Sequence, residues 1–247
     1  MKDFADILAS ILEDEVRCRE SLAVAFSGGL DSGILAHLLK DCDAKFYTVG
    51  IEGSKDIANA KEAASHLKLN LEIIEIGEND ILEGLLFLKR VDPSIEVIEA
   101  AFELPLYFVC SYSLEDFVMT GQGSDELFGG YQKYLDNPDL MGEDLNRLLV
   151  RTKPREIKIA TLLGKELITP YLSKRVMEFA FNLPMDLKIK NGVRKYILRE
   201  AAKVLNVPES IVMREKKAAQ YGSGIWKTMR RMAKERGQSL DEFFSSL

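Results

Sequence analysis

Cysteine, histidine and tryptophan are scarce in this chain: three cysteines, two histidines and one tryptophan among 247 residues. Cys18, Cys42 and Cys110 show no C-x-x-C spacing and their number is odd, so the pattern supports neither a disulfide framework nor a zinc site. His37 and His66 are not spaced as a metal-ligating pair, and His66, after an Ala-rich helical stretch, reads as a surface or boundary residue. No apolar run approaches the roughly 18–20 residues a membrane-spanning helix needs. The first residues, MKDFADILASILEDE, are acidic and lack a signal-peptide cleavage pattern. A cytoplasmic protein without a membrane partner is therefore expected. The net charge of −6 argues against nucleic acid as a general partner.

What is present is an ordinary globular composition, 47% hydrophobic and 29% charged, on a chain long enough to bury a sizeable core. Phe4, Ile7, Leu8, Ile11, Leu12 and Val16 share one helical face. LAVAF (22–26) reads as a short buried strand, followed by SGGLDS and a helix carrying Leu30, Ile34, Leu35, Leu38 and Leu39. AKFYTVGI (44–51) and LNLEIIEIG (69–77) read as strands around a helix over 54–68 that Ser54 would cap. Helix is expected over about 79–113, then a fourth strand, DFVMTGQG (116–123). Strands alternating with helices imply an α/β fold with a three-layer parallel sheet. From about 136 the strand signals stop, and helices are expected at 173–183, 195–205 and 225–235. The expected organisation is an α/β nucleotide-binding part, 1–135, and a helical lobe, 136–247.

Two Gly-rich stretches follow strands, which in a parallel sheet places both at the carboxyl edge where ligands bind. In the first, Ser27-Gly28-Gly29 opens a helix whose free N–H groups attract an anion. Ser27 and Ser32 add hydroxyl donors, and Asp31 is a suitable oxygen ligand for Mg²⁺. The stretch is neither a Walker A loop nor G-x-G-x-x-G. The second, TGQGSDELFGGY (120–131), sets Asp125 and Glu126 among four glycines.

SGGLDS after a buried strand resembles the pyrophosphate loop of the ATP pyrophosphatase (PP-loop) superfamily, which cleaves ATP between its α and β phosphates. GQGSDELFGGY resembles the second signature of asparagine synthetase and its relative β-lactam synthetase. TVGIEG (48–53), TPYLSKRVMEFAFNLP (169–184), RKYILREA (194–201) and MREKKAAQYGSG (213–224) match that family in order. The resemblance implies a Rossmann-like adenine nucleotide alpha hydrolase type of sheet and an ATP-dependent, AMP-forming ligase using Mg²⁺. It implies that Ser27, Gly28, Gly29 and Ser32 hold pyrophosphate. Phe26, Val49, Thr120 and Gly121 would line the adenosine site, Asp31 and Asp125 would ligate Mg²⁺, and Lys216 would neutralise charge during adenylation. Plainer readings stand beside these. Asp125 could cap the following helix, and Glu126 could be a first-turn acid. Lys216 could be one cation of a basic surface run with Arg214 and Lys217. Lys195 and Arg199 read as structural or distant phosphate partners, and Tyr131 as a packing residue.

Four departures from the family pattern bear on the substrate. The chain is expected to start at the synthetase domain, without the family's glutaminase domain. Its partners would then be a small carboxylate and either free ammonia or a separate glutaminase subunit, with the oligomeric state open. Gln122 stands where asparagine synthetases carry glutamate; it can hydrogen-bond but cannot ionise, so it cannot act as a general base. Ile168 and Ser173 replace an arginine and an aspartate around the 169–173 motif, and Ser173 remains a good N-cap. The loop KKAAQYGSG also differs from the family's. Two other readings are a tRNA-modifying ATP pyrophosphatase and a nucleotide-binding regulatory subunit without turnover.

Overall fold

The computed structural model describes residues 2–214 and 222–247. Five short strands form one sheet: β1 (Leu22–Ala25), β2 (Ala44–Gly50), β3 (Leu71–Glu75), β4 (Phe117–Met119) and β5 (Glu166–Ile168). All neighbours are parallel, in the order β3-β2-β1-β4-β5. Successive residues of a strand face opposite sides. Leu22 and Val24 thus join one hydrophobic cluster, with Leu8 and Leu12 of α1 (Lys2–Glu15) and Ile34 and Leu35 of α2 (Leu30–Leu39). Ala23 joins the other, with Leu85 and Leu88 of α4 (Glu78–Val91) and Leu104 and Val109 of α5 (Val97–Tyr112); α3 (Lys55–Leu67) intervenes in sequence and packs on the first face. The result is the expected helix–sheet–helix arrangement. Each fully buried Leu or Ile contributes roughly 1.5–3 kcal/mol of transfer free energy.

Several expectations need correction. The helical stretch 79–113 is two helices, because Asp92 precedes Pro93 and a residue before proline is driven to extended backbone. Ser54 takes the N-cap position of α3, but its hydroxyl makes no cap bond. Beyond residue 136 the chain is not purely helical. Glu166–Ile168 pairs with β4, and Ile189–Lys190 pairs antiparallel with Val193–Arg194. The turn of that hairpin is Asn191-Gly192, both at positive φ, as a tight two-residue turn requires. Cys18 and Cys42 form a disulfide with Cα atoms 5.6 Å apart. Their count and spacing hid this; parallel pairing of Leu22 with Ala44 brings the residues that precede β1 and β2 to one end of the sheet. Cys110 is free and buried, and burial pushes its thiol up to about 12.

Candidate active site

The strand order reverses between β1 and β4. Leu22, Ala23 and Val24 pair with Phe117, Val118 and Met119, so the loops leaving the two strands emerge side by side. Such a switch point opens a crevice beyond the carboxyl ends of the strands. The two loops touch: a Cβ added at Gly121 would lie 3.1 Å from the Cβ of Asp31.

In the first loop the amide of Ser27 donates to Ser32 Oγ at 3.2 Å, and the two hydroxyls lie 3.2 Å apart. Gly28 has φ 71°, and a Cβ there would meet the carbonyl oxygen of Asn59 at 2.6 Å, so only glycine lets the loop lie against α3. Arg214 fixes that contact, donating to the carbonyls of Gly28 at 3.1 Å and Asn59 at 2.7 Å and pairing with Glu62 at 2.9 Å. Arg199 in turn donates to the carbonyls of Arg194, Val212 and Arg214, tying the late helix Tyr196–Val204 to the segment that carries Arg214.

The second loop enters the short helix α6 (Ser124–Phe128), which buries both acids. Lys195 reaches between the loops. The side chain is 3% exposed, and its ammonium lies 2.6 Å from Asp31 Oδ1 and 2.7 Å from Asp125 Oδ1 and donates to Ser124 Oγ at 2.8 Å. Gly130 makes room for this group, because a Cβ there would collide with the Asp125 carboxylate and the Lys195 stem. Tyr171, fully buried, donates its hydroxyl to the carbonyl of Asp31 at 3.0 Å. Ser173 caps the helix Lys174–Phe181 by accepting from the amide of Val176, so serine serves in place of the family aspartate.

Two cavities meet here. One, of about 400 Å³, is lined by the expected nucleotide residues Phe26, Ser27, Gly29, Asp31, Ser32, Val49, Thr120 and Gly121, though not Gly28, and also by Gln122 and Asp125. The other, of about 510 Å³, is lined in part by Glu126, Glu103, Lys133 and Arg155. Phe102, Gln122 and Tyr131 line both and form the wall between them. On the nucleotide side of that wall Gln122 Nε2 donates to Glu156 Oε1 at 2.8 Å. Glu156 is 4% exposed, and burial raises its carboxyl well above the usual range. Next to it Arg155 pairs with Glu103 at 2.7 Å, Asp92 at 2.9 Å and Glu99 at 3.3 Å. Burial still pushes Glu103 up to about 7. Tyr131 is more than packing: its hydroxyl donates to Glu126 Oε1 at 2.9 Å.

The structure thus brings Phe26, Ser27, Gly29, Asp31, Ser32, Val49, Thr120, Gly121, Gln122 and Asp125 around one cavity and turns Glu126 toward the neighbouring one. Gly28 shapes the loop from behind. Lys216 lies outside the described residues. Lys195, expected at a distance, sits at the centre. Glu156 went unnoticed in the sequence, since REIKIATLL is an unremarkable helix with no glycine or paired acid to mark it.

The family model for asparagine synthase matches residues 3–159 and 140–244. The chain belongs to the asparagine synthase family. A putative glutamine-hydrolysing asparagine synthetase of Methanocaldococcus jannaschii is 29% identical over 295 residues, covering 100% of this chain and 54% of its own. The asparagine synthetase of Gallus gallus is 29% identical, covering 86% of this chain and 42% of its own. Asparagine synthetase B of Escherichia coli is 29% identical, covering 88% and 44%. The chain therefore spans about half the length of these curated asparagine synthase relatives. Among solved structures, an NMN synthetase from Francisella tularensis aligns over 98% of this chain and 84% of its own, at 16% identity and TM-score 0.47. No helix among the described residues is long and apolar enough to cross a membrane.

Proposed function

We propose that this chain carries the synthetase activity of an ATP-dependent, AMP-forming carbon–nitrogen ligase. A carboxylate, aspartate or a related acid, would attack the α-phosphorus of ATP and release pyrophosphate. Ammonia or an amine would then displace AMP from the acyl-adenylate to give an amide. The observation that carries this reading is the meeting of Asp31, Asp125 and Lys195 where the two glycine-rich loops touch, with both carboxylates lining the 400 Å³ cavity.

Each residue has a role that its position supports. Ser27, Ser32 and the first-turn amides of α2 would bind the departing pyrophosphate. Phe26, Val49, Thr120 and Gly121 would seat the adenosine. Two carboxylates aimed at one point fit Mg²⁺, which prefers one or two carboxylates plus phosphate oxygens. Asp31 and Asp125 would hold it, and when bound it would offset the charge of the phosphates. Lys195 and Lys216 would add fixed positive charge as negative charge redistributes in the transfer. Gln122 would orient the acceptor and hold Glu156. Glu156, next to it, and Glu126, across the wall, are ionisable where Gln122 is not, so one of them would take the proton from the attacking nitrogen. The nitrogen would come from solution or from a separate glutaminase subunit, and the setting would be the cytoplasm.

Pyrophosphate release from ATP should be followed with a panel of carboxylates, aspartate first, and ammonium. Asp31→Asn should abolish it while the protein stays folded. If no acceptor leads to cleavage at the α–β bond, the ligase reading fails. Tight ATP binding without cleavage would instead favour a regulatory subunit.

A further inference from the structure

Glu156 leaves half of its carboxyl unused. Oε1 accepts from Gln122 Nε2 at 2.8 Å, whereas Oε2 is buried and has no hydrogen-bond partner among the described residues. The residue is 4% exposed and lines the nucleotide cavity. A buried polar atom left unpaired is unfavourable, so one beside a cavity calls for a ligand that completes it.

The kind of ligand depends on whether Oε2 carries a proton. The group bonded to Oε1 is a neutral amide, which requires no ionised partner. The charged and titratable groups facing Glu156 are Glu103 and Cys110 of α5, Glu126 of α6 and Arg155, its neighbour in sequence. Arg155 pairs with Glu103, Asp92 and Glu99 rather than with Glu156. Burial away from a counter-ion favours the neutral form of a carboxyl, and the carboxylates of Glu103 and Glu126 act in the same direction. With Oε1 accepting, the proton belongs on Oε2 and makes it a donor.

The charge of the cavity fits such a donor. Asp31 and Asp125 line the same cavity, and the ligase reading brings ATP and an acceptor carboxylate into it. An ionised Glu156 would repel both ligands. A neutral one repels neither and offers an O–H.

We infer that Glu156 works as a neutral carboxylic acid whose Oε2–H donates a hydrogen bond to an oxygen of the acceptor's carboxylate, fixing the acceptor in the nucleotide cavity. The inference rests on the ligase reading for the identity of the ligand and on Oε2 itself for the donor. Glu156 is then a binding group and not the base that takes the proton from the attacking nitrogen. Gln122 sets its polarity: by donating to Oε1 it keeps the proton on the other oxygen.

Two measurements on the whole chain test this. The infrared difference spectrum of parent minus Glu156→Gln at neutral pH should show the carbonyl band of a protonated carboxyl. In pyrophosphate release from ATP with aspartate and ammonium, Glu156→Ala should raise the KM for aspartate at least about tenfold. Glu156→Gln, whose amide N–H can donate from the same place, should recover most of that loss. The ratio of parent to Glu156→Gln rate should fall as pH rises, because the parent alone loses its donor. Absence of the protonated band overturns the inference, as does an unchanged aspartate KM in Glu156→Ala. A Glu156→Gln protein that is unfolded, or as impaired as Glu156→Ala, also overturns it, since the carboxylate itself would then be required. The band without pyrophosphate release from any acceptor overturns the ligase reading and the acceptor with it, while the donor stands.

Discussion

Lys195 and Asp31 stand 164 residues apart in sequence and meet at 2.6 Å in the folded chain. Their contact also takes in Asp125, so one ammonium holds together the loops that follow β1 and β4. Two carboxylates this close would repel each other without a cation between or beside them.

Lys195→Met should therefore be severe. Removing one partner of a buried ion pair costs roughly 3–5 kcal/mol, because the remaining charges stay buried. Denaturant unfolding would measure the loss. Magnesium should stabilise this variant more than the parent, since the two carboxylates lose their internal cation. Unchanged stability would mean that the ammonium contributes nothing to holding the loops.

Tyr171→Phe removes one hydroxyl and keeps the ring. The carbonyl of Asp31 loses the tyrosine's hydrogen bond in a buried setting, at a cost of about 1 kcal/mol. The unfolding midpoint should fall modestly, with the denaturant slope unchanged. A larger drop would point to rearrangement of the first loop.

Glu103 gives the stability a pH dependence. Its carboxyl is raised to about 7 in the folded chain by burial, against an ordinary value of 4.5. Between those values the folded state keeps a proton that the unfolded state releases. Stability from this group therefore declines as pH rises through that window. Glu103→Gln should flatten the change in unfolding free energy between about pH 5 and pH 7, whatever it does to the absolute value. An equal slope in parent and variant would assign the pH dependence elsewhere.

Gly130→Ala tests the crowding at the centre. The added methyl would run into the Asp125 carboxylate and the Lys195 stem. Overpacking of this kind costs roughly 1–3 kcal/mol. ATP binding, followed by calorimetry, should weaken at the same time; unaltered binding would separate Gly130 from the site.

The sequence made the sheet and both loops readable because each signal was local. A buried run leading into Ser27-Gly28-Gly29 declares a strand, a turn and a helix start within a few residues. The same holds for Thr120 to Tyr131. What stayed hidden depends on distance. Glu166–Ile168 is too short to announce itself as a strand and becomes one only because β4 offers it an edge. Lys195 sits in a helix-start pattern that looks structural, and only the tertiary packing turns it toward Asp31. Glu156 looks like a surface acid until Gln122 claims it from 34 residues away. Cys18 and Cys42 meet because two strands run in register. The Asn191-Gly192 turn, by contrast, was locally marked.

Thr120, at the head of the second loop, donates its amide to the carbonyl of Ile168 at 3.0 Å, so the latecomer β5 forms the floor on which that loop rests. The early part of the chain brings Asp31 and Asp125; the later part brings Ile168, Tyr171 and Lys195. Cutting the chain in the turn around Asn137–Pro138 would yield two pieces, each inert by itself. Mixing them would be a complementation assay, in which recovered function reports that the seam between β4 and β5 has closed.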